Sequence, residues 1–163
     1  MMYEDYLDSL EGDLRAKKDR TDELDELFQL SFLGDGATVE RVSWCVAKMA
    51  QNKVPDMRIV DIMVSLRDNV NPQVRENVAW GIGEIAGAGI GDDRCIDTLL
   101  TMMTDDNDGV RGMAAWAAGR LRRKLGMDSP DLEGRIRSLI NDDSEYVRRS
   151  AEYALEGLPP KNG

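Results

Sequence analysis

Residues 71–86 read Asn71-Pro72-Gln73-Val74-Arg75-Glu76-Asn77-Val78-Ala79-Trp80-Gly81-Ile82-Gly83-Glu84-Ile85-Ala86, and the chain writes this stretch again. In residues 107–122, Val110-Arg111 stands for Val74-Arg75, Trp116 for Trp80, Gly119 for Gly83 and Leu121 for Ile85. A third copy runs from Ser144 through Val147-Arg148 and Tyr153 to Leu158, and a looser one from Asp35 through Trp44 to Met49. The four aromatics Trp44, Trp80, Trp116 and Tyr153 are separated by 36, 36 and 37 residues. A period of that length means stacked supersecondary units, each of which buries its apolar face only against its neighbours.

Within a unit the apolar spacing is helical. Val74, Val78, Ile82 and Ile85 share one face of a helix that Asn71 caps and Pro72 opens. Gly87-Ala88-Gly89-Ile90-Gly91 ends it; following a helix and lacking Gly-Lys-Ser/Thr, this run reads as a turn and not as a phosphate cradle. A second amphipathic helix follows over residues 92–104, burying Cys95, Ile96 and Leu99. The preceding unit pairs a helix from Asp35 with one opened by Pro55 and striped by Ile59, Ile62, Met63 and Leu66. The following unit pairs residues 110–125 with a helix capped by Ser129. Residues 3–18 and 21–33, the latter capped by Thr21 or Asp22, form an N-terminal pair. Short links make each pair antiparallel. The expected fold is an all-α, right-handed superhelix of about nine helices. It divides into a capping pair (1–34), repeats at 35–70, 71–106 and 107–143, a terminal helix (144–158) and a tail (159–163).

Composition narrows the chemistry. The chain has 163 residues, enough for one domain that buries about two-thirds of its unfolded surface. It holds no histidine, which removes Ser-His-Asp and Cys-His catalysis and histidine-ligated metals. Cys45 falls in register with Gly81, Ala117 and Ala154, and Cys95 with Ile59 and Leu132, so both read as buried apolar thiols. Asp105-Asp106-Asn107-Asp108-Gly109 begins like a calcium loop, but the alternating ligands and closing Glu are missing. Lys+Arg 21 against Asp+Glu 31 gives a net charge of −10, unfavourable for nucleic acid and anionic membranes. With no signal-like or spanning segment, the expected location is the cytoplasm.

The string V-R-x-x-(A/V)-A-W-(A/G)-x-G-x-(I/L) after an Asp/Asn-rich turn resembles HEAT repeats of the short type found in phycobilisome lyases. Val74 to Ile85 and Val110 to Leu121 match closely; Val147 to Leu158 has Tyr153 for Trp and Glu156 for Gly, and Thr38 to Met49 lacks the Val-Arg pair. The resemblance covers roughly residues 35–158 and implies an α-solenoid that recognises proteins. Deoxyhypusine hydroxylase, a HEAT-type iron enzyme, carries His-Glu pairs that this chain lacks. Alkylpurine DNA glycosylases of similar build need a basic cleft, whereas this chain is acidic.

Register then defines surface tracks. The resemblance implies that second helices line the concave side. Asp25, Asp61 and Asp97 would form a carboxylate row there, about 10 Å apart, with Gln29, Ser65 and Thr101 beside it. The row is either a dock for a basic segment of a partner or a solvated face of an acidic protein. Phe28, Val64 and Leu100 border the buried arc, and Phe28 and Phe32 have no earlier repeat to cover them. Trp44, Trp80, Trp116 and Tyr153 lie on a flank suited to packing between repeats, with the indole N–H reaching a polar group. Lys48, Glu84 and Arg120 form a row of alternating sign. Arg75, Arg111 and Arg148, each six residues after Asn69, Asp105 or Asp142, suit bonds to turn carboxylates and carbonyls across units. The Arg120 to Lys124 cluster, near Arg135 and Arg137, balances a helix dipole or touches RNA or an acidic protein.

The function these tracks favour is a non-catalytic protein-interaction adaptor, without cofactor or metal, whose partner is another protein. Two further readings stay open: an accessory subunit in cofactor attachment or enzyme maturation, as the bilin-lyase resemblance allows, and a nucleic-acid binder using the basic cluster.

Overall fold

A computed structural model describes residues 2–156 and is all-helical there. The helices are α1 (Glu4–Arg15), α2 (Leu24–Leu33), α3 (Gly36–Gln51), α4 (Met57–Ser65), α5 (Pro72–Gly87), α6 (Asp93–Met102), α7 (Asp108–Leu125), α8 (Pro130–Ser138) and α9 (Glu145–Leu155). The expected end of the last helix at Leu158 and the tail after it lie outside the described residues. Among the described residues no helix is long and apolar enough to cross a membrane.

Helix starts follow side-chain caps. Asp35, Asn107, Ser129 and Ser144 accept from the amide three residues on, and Asp56, Asn71 and Asp92 from the amide two residues on. Two expected starts move. Pro55 is not the first residue of α4, because Asp56 holds the Arg58 amide at 2.9 Å and the helix opens at Met57. The second helix is not capped by Thr21 or Asp22: Asp19 bonds the Thr21 amide, a 3-10 turn spans Thr21–Glu23, and α2 opens only at Leu24. Gly126 (φ 64°) ends α7 in the left-handed region that glycine enters without strain.

The odd-numbered helices form one layer and the even-numbered ones the other. In the first layer α3, α5, α7 and α9 lie side by side in extensive contact, and α1 packs on α3. Helices α4, α6 and α8 each touch both their own first helix and the next one, and α2 packs on α3, so adjacent units interlock. The core between the layers is continuous, from Leu7, Leu10 and Leu14 through Ile59, Ile62, Ile82 and Ile85 to Leu132, Ile136 and Val147, all at most 1% exposed. Each such side chain contributes about 1.5–3 kcal/mol over exposure.

Glycine sets the spacing of the first layer. A methyl group on Gly83 would stand 3.1 Å from the Ala117 Cα and collide with the Trp116 ring; one on Gly119 would stand 2.8 Å from the Ala154 Cα. These are helix backbones in near contact, which no larger residue permits.

An arginine ladder ties the turns. Arg75 bonds Asp105 with two nitrogens, at 2.8 and 3.0 Å, while its third donates to the Asn69 carbonyl at 2.8 Å. Arg111 repeats this on Asp142, at 3.0 and 3.0 Å, and on the Asp105 carbonyl at 2.9 Å. Arg148 donates to the Asp142 carbonyl at 2.7 Å. Asp105 thus answers the arginine before it and orders the turn for the one after it. The Arg111 guanidinium holds the Asp142 carboxyl below its ordinary range.

Three variants test this packing. Gly119→Ala should destabilise by about 1–3 kcal/mol in urea unfolding despite its better helix propensity. Gly134→Ala, where a methyl group meets nothing within 4 Å, should stabilise by about 0.5–1 kcal/mol. Arg111→Gln should cost about 1–3 kcal/mol near neutral pH. Because the folded-state pKa of Asp142 is depressed, its stabilisation is complete above the unfolded carboxylate pKa and fades as pH falls through the folded one. The gap between wild type and Arg111→Gln should therefore shrink below about pH 4, as read from denaturation midpoints across pH.

Candidate functional site

The two layers are unequally spaced, and this decides which one faces inward. The first layer is nearly backbone to backbone, while α2, α4, α6 and α8 touch one another sparsely. A stack closer on one side than the other curves toward the closer side. The first helices therefore line the inner surface, and the expected concave position of the second helices is corrected. Bulky Ile62, Met63, Leu99, Met102 and Leu132 hold the second layer apart, whereas Gly83, Ala117, Gly119 and Ala154 let the first layer close.

The carboxylate row accordingly sits on the outer layer, and two of its three members are engaged. Asp25 pairs with Arg58 at 3.1 Å and Asp61 with Arg94 at 2.9 Å. Each arginine also holds the cap of its own helix, Asp56 at 2.7 Å and Asp92 at 2.8 Å. Asp97 is exposed, and the next unit offers it Asp131, a like charge, where Arg58 and Arg94 stand earlier. Gln29, Ser65 and Thr101 are exposed, but the two hydroxyls donate to carbonyls of their own helices, Ile62 at 2.6 Å and Asp97 at 3.3 Å. At the N-terminal end Phe28 is half-buried and Phe32 is 63% exposed, their rings 5.2 Å apart.

The inner face carries the signature aromatics. Trp44, Trp80 and Trp116 are half-buried against the core, and none of their indole N–H groups finds a protein acceptor among the described residues. The expected polar partner for the N–H is thus absent there; the N–H edge faces solvent. Trp116 covers the α5 backbone at Gly83, a packing role between repeats. The row of alternating sign does not pair. Lys48 donates to Gln51 at 2.5 Å, and Arg120 stacks on Trp116 at 5.6 Å and donates to the Gly83 carbonyl at 3.3 Å, because Gly83 and Gly87 leave that carbonyl open. Glu84 has no hydrogen bond or ion pair among the described residues.

Two hollows mark this face. One, of about 250 Å³, is lined by Glu11, Arg15, Glu40, Arg41, Trp44 and Asn77. Arg41 bonds Glu11 at 2.6 Å and Arg15 lies 4.7 Å over Trp44, so its charges are internally matched. The other, of about 290 Å³, is formed by Trp80, Glu84, Met113, Trp116, Tyr146 and Ser150 from three successive first helices. Glu76 and Asp108 stand beside it, and burial, then Asp108, raises the Glu76 carboxyl. Tyr146 and Met113 carry no repeat signature, so sequence reading misses them; only the neighbouring Trp row signals the place.

The basic cluster is largely consumed by the fold. Arg122 is buried and pairs with Asp128 at 3.1 Å. Arg123 lies over Tyr153 at 4.1 Å and donates to the Tyr153 and Glu156 carbonyls, capping α9. Arg137 pairs with Glu133 at 2.9 Å. Lys124 is left exposed. Both thiols are buried; burial pushes Cys45 up to about 12 and raises Cys95. In the acidic turn, Asp105 serves Arg75 and Asn107 caps α7.

Comparison with known proteins agrees with this architecture. No curated protein sequence matches the chain. Among solved structures, the crystal structure of an engineered protein, a target of the Northeast Structural Genomics Consortium, is similar with a TM-score of 0.60 and 18% identity. The similarity covers 82% of this chain and 61% of that one, and it speaks for the fold alone. A family model for HEAT repeats matches residues 59–156, more than half of the chain. With its period, interlocked helix pairs and arginine ladder, the chain belongs to the HEAT-repeat family.

Proposed function

We propose that this chain is a non-catalytic scaffold that binds another protein along the inner face of its first-helix layer. The observation that carries the reading is the row of half-exposed tryptophans whose indole N–H groups have no acceptor among the described residues. An indole used for packing alone buries its N–H against an acceptor, whereas one at an interface offers a large apolar surface and a free donor. Burial, which raises both thiols, and the lack of histidine leave few groups for acid-base or nucleophilic chemistry. The outer Asp25 and Asp61 work against an outer-face dock, since a partner would have to displace Arg58 and Arg94 from them.

The test is partner capture from the native host by the tagged full chain, scored by the stoichiometric protein retained. Trp80→Ser with Tyr146→Ser should weaken capture about 30-fold or more with helicity retained. Asp61→Lys with Asp97→Lys should leave it nearly unchanged. The reverse pattern would move the binding surface to the outer layer.

A further inference from the structure

Three of the four signature aromatics already carry a cation. Arg15 lies over Trp44 at 4.7 Å, Arg120 over Trp116 at 5.6 Å and Arg123 over Tyr153 at 4.1 Å. Trp80 carries none among the described residues, and register explains why. Arg15 precedes Trp44 by 29 residues and Arg123 precedes Tyr153 by 30; the same steps back from Trp80 reach Gln51 and Ala50, which bear no charge. Of the four signature rings, Trp80 is therefore the one whose cation-attracting π face carries no cation among the described residues.

This open face borders the groove lined by Glu84, Met113, Trp116, Tyr146 and Ser150. Glu84 has no ion pair there among the described residues, and Glu76 and Asp108 crowd each other next to Tyr146 without a cation between them. Arg120 is committed to the Trp116 ring and the Gly83 carbonyl and makes no ion pair with Glu84 among the described residues. The surroundings are acidic on the scale of the whole chain, which carries a net charge of −10. A cationic side chain in the groove would meet an aromatic face and the Glu84 carboxylate, with Glu76 and Asp108 adding negative charge beside Tyr146, whereas a purely apolar one would leave Glu84 desolvated and uncompensated.

Resting on the protein-binding reading above, we infer that the groove between α5, α7 and α9 receives an arginine or lysine side chain of the partner. The cation lies on Trp80 with Glu84 as counter-charge, Met113 and Tyr146 closing the sides. The occupant is a basic peptide segment, and the site repeats in trans what Arg15 and Arg123 do in cis.

The probe is a short synthetic peptide carrying two arginines spaced by glycine, titrated into the ¹⁵N-labelled full chain. The three indole N–H resonances are assigned with Trp→Phe variants. The Trp80 resonance should move first, a citrulline peptide of the same shape should leave it in place, and raised salt should weaken the shift. Trp80→Leu and Glu84→Gln should each reduce affinity about threefold or more, and together about tenfold, with unchanged circular dichroism showing that both variants fold. No Trp80 shift at about 10 mM peptide, an equal response to citrulline, or a shift confined to Trp44 overturns the inference. So does a Trp80-dependent change in sedimentation of the free chain, which would make a second copy the occupant. Failure here with capture still lost in Trp80→Ser/Tyr146→Ser would refute the cation and leave the inner-face scaffold standing.

Discussion

The near contact of α5, α7 and α9 along their backbones governs the molecule. Gly83 against Ala117 and Gly119 against Ala154 bring helices closer than any larger pair of residues permits. Once the first layer is closed in this way, the second layer must splay around Ile62, Met63, Leu99 and Leu132, and the stack bends. The bend gathers Trp80, Met113, Trp116 and Tyr146, from three separate helices, around one hollow. Each of these glycines gives up about 1 kcal/mol of helix propensity relative to alanine, offset by the dispersion contacts of two helices in register.

Polar groups supply the precision that close packing alone lacks. The bidentate Arg75–Asp105 and Arg111–Asp142 pairs are largely shielded, with side-chain exposures of 12–18%, so they act in a less screened setting than surface pairs. They fix the turn of each unit against the next, and the interlocked even helices fix the other side. On the outer layer Arg58 and Arg94 do a similar job at greater exposure, which makes Asp25 and Asp61 parts of the frame. Among the described residues the inner face leaves without partners three indole N–H groups, the Glu84 carboxylate and the open face of Trp80.

Much of this was legible in residues 71–86 and their copies. A 36-residue period, caps at Asn71, Asn107 and Ser144, and apolar stripes such as Val74, Val78, Ile82 and Ile85 define the helices and which side chains go inside. The spacing of Arg75 from Asn69 and Arg111 from Asp105 points to turn carbonyls because six residues is the reach of an arginine folded back over its cap. Local competition shifted the starts of α2 and α4, where Asp19 and Asp56 capture amides that a pattern of apolar residues does not see. The pairing of Asp25 and Asp61 was not legible either, since it depends on arginines 33 residues away, a step slightly shorter than the repeat.

The sequence by itself determined the unit, its period, its buried set and its family resemblance, because these follow from spacing along one chain. The tertiary structure alone decided which layer curves inward and therefore which track becomes a binding face, because curvature is a difference between two inter-helix spacings. It also decided which aromatics are already covered by a cation, since Arg15 and Arg123 reach their rings from the preceding first helix, Arg120 reaches Trp116 from one turn along the same helix, and Trp80 is left uncovered among the described residues.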